Sequence, residues 1–144
     1  MSSIPSITEL VPHEAPMLAL EELFEWSEEV GRARLVLGER NLFVQDGLID
    51  TVIALEYMAQ AVAAYLGQEA YRAGGGVTVG MVVACRDMVV ERPQLRVGEE
   101  LVIEVRRIRG SDQVSQFDTR LLDATTAVVA TASMTLVHGG EPPE

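Results

Sequence analysis

Within ALEYMAQAVAAYLG, residues 54–67, apolar side chains surround two groups that can do chemistry, Glu56 and Gln60. A carboxyl group gives or takes a proton. An amide four residues later lies one helical turn on and on the same face, where it can hold that carboxyl group or reach a ligand. Burying an ionised carboxylate without partners is costly, so a helix fit for burial keeps one only for a reason. Two readings stay open at this level: a working acid beside a ligand, or a carboxylate on a solvated stripe or paired with an arginine from elsewhere. Glu56 also falls within the first two turns of its helix, where backbone N–H groups and the helix dipole favour negative charge on a ligand or intermediate.

The elements that must position these residues follow from period and punctuation. Residues 17–26 and 31–37 are expected to be two strands separated by an acidic turn at residues 27–29. Residues 38–50 have no clear period and end at Asp50-Thr51, either of which can cap the next helix. That helix is predicted from Thr51 to Arg72, where Gly74–Gly76 stop it. Four β-branched, partly alternating runs follow at residues 77–90, 101–109, 114–123 and 126–137, predicting a four-strand meander. Apolar positions on the helix (Val52, Ile53, Leu55, Met58, Ala59, Val62, Ala63, Leu66) cover most of its circumference, so it must be wrapped on more than one side. A curved antiparallel sheet does this, and alanines at 54, 59, 61, 63 and 64 let strands approach closely. Such a sheet leaves an open edge, which predicts pairing as a dimer.

Composition narrows the function. A chain of 144 residues with 48% hydrophobic and 23% charged residues is expected to form one domain, residues 1–144. Its net charge is −11 and all eleven basic residues are arginine, which argues against nucleic acid and anionic lipid. Glu56 and Gln60 interrupt the best apolar run, and the first ten residues lack a basic segment followed by an apolar core, so neither membrane insertion nor secretion is expected and the cytoplasm is the expected compartment. The lone Cys85 has no partner for a disulfide or a metal site, and its apolar run VVAC predicts a buried small hydrophobe. Arginines at 86, 92, 96, 106, 107 and 109 form either a solvated face or a patch for an anionic, phosphopantetheine-bearing carrier or cofactor, with Arg86, Arg92 and Arg107 as candidates.

The segment ALEYMAQAVAAYLG resembles the central helix of hotdog-fold 3-hydroxyacyl-[acyl-carrier-protein] dehydratases, whose E-A-x-A-Q motif aligns with Glu56, Tyr57, Met58, Ala59 and Gln60. LVPHEAPMLALEEL, residues 10–23, is similar to that family's opening L-P-H-x-x-P segment, with Pro12, His13, Pro16, Met17 and Leu18 in place. Residues 84–108 resemble the strand pair joined by R-P-V-x-P-G-D-x-L, where Val97, Gly98, Glu99 and Leu101 fit best. With tyrosine after the glutamate, the form is most similar to the dehydratase-like subunits of aryl polyene biosynthesis. The resemblance spans about residues 10–137 and implies an α+β hotdog fold, a long central helix wrapped by a curved antiparallel sheet of about six strands.

What the resemblance implies about function is removal of water from a 3-hydroxyacyl thioester carried on acyl carrier protein or coenzyme A, with no metal and no further cofactor. Glu56 is then the acid, Gln60 its orienter, and backbone donors near Gly47 and Leu48 or at Gly80 and Met81 face the thioester carbonyl. The resemblance departs at one place. The family's loop histidine, fourteen residues before the glutamate, corresponds to Leu42, which cannot transfer a proton. His13 is then the candidate base, His138 belongs to a loose tail, and Tyr57, about 100° around the helix from Glu56, is expected to pack rather than react. The alternatives are a hotdog thioesterase using Glu56 alone and a non-catalytic partner subunit of a dehydratase heterodimer; the chain is expected to pair as a homodimer or as a heterodimer with another hotdog protein.

Overall fold

A computed structural model describes residues 4–11, 18–38, 43–74, 81–110 and 114–137, with backbone alone for residues 81–83. A short helix α1 (Ile7–Leu10) precedes two strands, β1 (Leu20–Trp26) and β2 (Val30–Val36), and a brief β3 (Leu48–Asp50) leads through a single 3-10 turn at Thr51–Ile53 into α2 (Ala54–Arg72). Strands β4 (Met81–Val90), β5 (Gln94–Arg96), β6 (Glu100–Gly110), β7 (Val114–Leu122) and β8 (Val128–Val137) complete the chain. The helix ends where expected, Gly74 taking φ +87, a conformation that costs glycine little.

Six strands form one antiparallel sheet in the order β1-β2-β6-β7-β8-β4, and β3 and β5 form a separate two-stranded sheet. Three corrections follow. The expected four-strand meander holds only for β6, β7 and β8, since β4 pairs with β8 at the far edge rather than with β6. The segments 7–10, 48–50 and 94–96 carry elements too short to show a period. Cys85 is exposed rather than buried, because its apolar run lies on the outermost strand, with no neighbour beyond it among the described residues.

Helix α2 lies across the inner face of the sheet, against β1, β6, β7 and β2, with α1 on another side. Tyr57, Met58, Ala61, Val62, Ala64 and Tyr65 are buried with Leu35, Ile103, Phe117 and Leu121 from the strands. This one long helix on a curved antiparallel sheet is the hotdog fold. Two glycines set how closely the layers approach. A Cβ at Gly67 would stand 2.1 Å from the Leu10 carbonyl oxygen, so α1 rests directly on the helix backbone there. A Cβ at Gly31 would stand 2.7 Å from the Tyr65 ring, which sits against Phe117 and Trp26, donates from its hydroxyl to the Ser27 carbonyl, and is pushed up to about 12 chiefly by burial.

The outer face carries much of the charge. Glu104, its side chain only 5% exposed, accepts from Arg32 through one oxygen and from Arg120 through the other, and Arg32 also reaches Glu25. Arg34 bridges Glu21, Glu22 and Glu100. The early acidic cluster is thus partly neutralised across strands, by Arg32 and Arg34 of the neighbouring β2.

Replacing Gly67 by alanine forces α1 off the helix and is expected to cost about 2–3 kcal/mol in chemical denaturation. Burial alone would raise the Glu104 carboxyl, but the hydrogen bonds and charge of Arg32 and Arg120 outweigh it and hold the group below its ordinary 4.5. Its contribution to stability is therefore present above about pH 4.5 and lost as pH falls through the lower folded value. Thermal melts from pH 7 to 3 are expected to decline less steeply for Glu104→Gln, which starts about 1–2 kcal/mol less stable because the two arginines are themselves partly exposed.

Candidate functional site

The lead-in to α2 is held on three sides. Asp50 caps the first turn by accepting from the Val52 N–H at 3.0 Å. Thr51, fully buried, donates its N–H to the Pro93 carbonyl and its hydroxyl to the Arg92 carbonyl. Strands β3 and β5 pair Asp50 with Gln94, Ile49 with Leu95 and Leu48 with Arg96. Of the two expected caps, Asp50 does the capping, and Thr51 ties the helix start to the segment before β5.

Glu56 then falls in the first turn of α2, where the helix dipole favours a carboxylate. It is half-buried, less enclosed than the surrounding apolar residues led one to expect. Gln60 is fully buried. Its Oε1 accepts the backbone N–H of Ala19 at 2.9 Å, and its Nε2 donates to Glu56 Oε1 at 3.3 Å. Because Oε1 faces an N–H donor, the amide has one acceptable orientation, and that orientation turns the NH2 group toward the carboxyl group. A chain of two hydrogen bonds thus runs from the residue before β1 through the core to Glu56. Ala19 is the site residue that sequence reasoning missed. Its contribution is a main-chain N–H, for which no side-chain pattern gives a signal.

The other candidates separate. Gly47 and Asp46, both with positive φ, form a two-residue hairpin turn in which the Leu48 N–H donates to the Gln45 carbonyl. The Leu48 N–H is therefore engaged inside the turn, while the Gly47 carbonyl accepts from the Val97 N–H. Met81 opens β4 opposite Val137. His13, Leu42, Gly80 and His138 lie outside the described residues. Tyr57 is a core residue, 1% exposed, as its position on the helix implied.

Of the arginines singled out for an anionic ligand, Arg92 is bound to Glu99, and Arg107 holds Glu69 through both terminal nitrogens while lying over the Tyr65 and Phe117 rings. These two are tied into the fold. Arg86 is exposed on β4. Among the described residues there is no group of three or more histidine, cysteine or acidic side chains placed to hold a metal ion. Among the same described residues, no helix is long and apolar enough to cross a membrane.

Comparison with known proteins places this geometry. One chain of the dehydratase heterocomplex ApeI:P from Xenorhabdus doucetiae superposes with a TM-score of 0.87 at 22% identity, over 95% of this chain and 93% of that one. Two further structures share the fold at lower likeness. The E. coli PaaI protein from the phenylacetic acid degradation operon gives a TM-score of 0.65 at 12% identity, over 83% of this chain and 79% of its own. The smu.793 protein from Streptococcus mutans UA159 bound to acetyl CoA gives 0.67 at 10% identity, over 92% and 98%. No curated protein sequence matches the chain. A family model, ApeP-like, described as ApeP dehydratase, matches residues 5–142. The helix carrying Glu56 and Gln60 and the sheet around it thus lie inside that match, and the chain belongs to the ApeP-like dehydratase family.

Proposed function

We propose that this dehydratase-like protein removes water from 3-hydroxyacyl thioesters borne on an acyl carrier protein or coenzyme A, with Glu56 as the acid. The observation that carries the reading is the hydrogen-bonded chain from the Ala19 N–H through the buried Gln60 amide to the Glu56 carboxyl group. An acid that must meet a hydroxyl at one carbon of a long substrate gains rate from a fixed position, and Gln60 supplies it.

In this reading a base takes the proton from the carbon next to the thioester carbonyl, and the carbon–oxygen bond at the third carbon breaks. Glu56 delivers its proton to the departing hydroxyl, so that water and an enoyl thioester leave. His13 is the base, since the two histidines, His13 and His138, carry the side chains whose ordinary pKa suits the task, and His13 is the one in the segment that leads to Ala19. His13 also lies six residues before Ala19, within chain reach of Gln60. The backbone at Gly80 and Met81 supplies the donors for the carbonyl, the Leu48 N–H being engaged in its turn. The protein works as a homodimer or beside another hotdog subunit, as the similarity to one chain of a heterocomplex and the edge position of β4 among the described residues both support.

The test is enoyl formation followed by absorbance on a 3-hydroxyacyl pantetheine thioester, with the protein alone and with a second hotdog subunit added. Glu56→Gln and His13→Ala are each expected to lower turnover by about 100-fold or more. Unchanged turnover in Glu56→Gln would falsify the acid assignment, and thiol release without enoyl formation would favour thioester hydrolysis. Gln60→Leu leaves the Ala19 N–H without that acceptor, and is expected to lower turnover about tenfold and stability by about 1–2 kcal/mol.

A further inference from the structure

On the outer face of the main sheet, away from α2, lies an open cleft of about 660 Å³. Its floor is the pair Val102 and Leu122, directly opposite each other on β6 and β7. Strand alternation puts them there, since Leu101, Ile103 and Leu121 are fully buried on the helix side and the side chains next to them face outward. One wall is Phe24. The register of β1 on β2 shifts between Leu23 and Glu25, and the residue between them is turned out, 43% exposed. Phe24 is not among the core residues, and on a face otherwise rich in charge it adds an aromatic edge to an apolar floor.

Six charged side chains line the same cleft, four carboxylates and two guanidiniums, a formal surplus of two negative charges. Both guanidiniums are already engaged. Glu104 takes Arg32 and Arg120 at one end, and Arg32 also holds Glu25. The other end is a rim made by Glu100 and Asp123. Glu100, its side chain 58% exposed, stands 3.7 Å from an Arg34 that meets Glu21 and Glu22 at shorter range. Asp123 accepts from the Thr125 hydroxyl, the Thr125 N–H and the Ala127 N–H, all through Oδ1. The Thr125 hydroxyl and N–H are foremost in holding this carboxyl below its ordinary 3.8, so the rim keeps its charge. With the Thr126 N–H on the Asp123 carbonyl, and Thr126 itself at φ +67, the turn that carries Asp123 has a fixed shape.

We infer that this cleft receives a basic segment of another protein, with an apolar side chain over Val102 and Leu122 against Phe24 and a lysine or arginine at the Glu100 and Asp123 rim. Charge decides the occupant. Phosphate, nucleic acid and anionic lipid are repelled by the rim. A second copy of the chain presents the same rim, and its net charge of −11 adds to the repulsion. A free polyamine satisfies the carboxylates but leaves Phe24 and the apolar floor in water. A segment that carries both kinds of side chain satisfies both parts, and the volume suits a few side chains of a partner. The cleft lies on the face of the sheet opposite the helix that bears Glu56, so the inference is independent of the reaction proposed above.

The experiment titrates the full chain, by calorimetry and chemical-shift mapping, with a blocked tetrapeptide of alternating leucine and lysine, with the same peptide carrying glutamate for lysine, and with spermidine. The leucine–lysine peptide is expected to bind about tenfold or more tightly than either, with shifts at residues 24, 102 and 122–126. Phe24→Ser is expected to weaken it about fivefold. Glu100→Gln and Asp123→Asn together are expected to do the same, the turn surviving because an asparagine oxygen accepts the same bonds. Glu9→Gln, exposed on α1, is expected to leave the affinity as it was. Equal binding of the three probes, no binding of the leucine–lysine peptide at about 1 mM, shifts confined to residues outside the cleft, or an affinity that the cleft variants leave unchanged would each overturn the inference. So would self-association of the free chain that Phe24→Ser abolishes, which gives the cleft to a second copy.

Discussion

A buried side-chain amide has one tolerable orientation once a backbone N–H points at its oxygen, because the flipped form would set donor against donor. Gln60 is in that position, fully buried, with Ala19 on one side and Glu56 on the other. Ala19 precedes β1, an edge strand of the main sheet, so the hydrogen bond ties the helix to the sheet one turn from Glu56. If the register of β1 on the helix moved, the amide would lose its acceptor role and the carboxyl group its support. The fold and the site are coupled through one side chain.

The rest of the molecule serves to hold α2 still. At its first turn the helix is locked by Asp50, by Thr51 on the Arg92 and Pro93 carbonyls, and by the β3–β5 pair. Further along, Gly67 admits the Leu10 carbonyl into contact with the helix backbone, and Gly31 admits the Tyr65 ring into the layer between helix and sheet. Arg107 closes the same end, its guanidinium on Glu69 and over two rings. Polar backbone locks thus sit at the end of the helix that carries Glu56, and aromatic and close-contact packing at the other. Charge is treated in the same economical way. Arg32 and Arg120 enclose Glu104 on the outer face.

How much of this was legible beforehand depends on the range of the interaction. The extent of α2, the six long strands, a cap at Asp50 or Thr51 and the neighbourhood of Glu56 and Gln60 follow from local periodicity and from i to i+4 geometry, which a chain carries in its order of residues. Strands of three residues have no period to display, so β3 and β5 were invisible. Cys85 was misjudged because an apolar run looks the same in a central strand and at an edge. The place of β4 beside β8 rather than β6 is a choice among pairings that the local sequence does not rank.

The amino-acid sequence by itself determined the family, the long helix, and a carboxyl and an amide one turn apart on its face. Only the tertiary structure decided that the amide is oriented by the Ala19 main-chain N–H, that Arg92 and Arg107 are bound within the fold, and that the Leu48 N–H is engaged in its turn. The reason is physical. Helix faces and caps are set by neighbours a few residues away, whereas a backbone donor carries no side-chain signature and acquires its partner only when strands distant in sequence close around the helix.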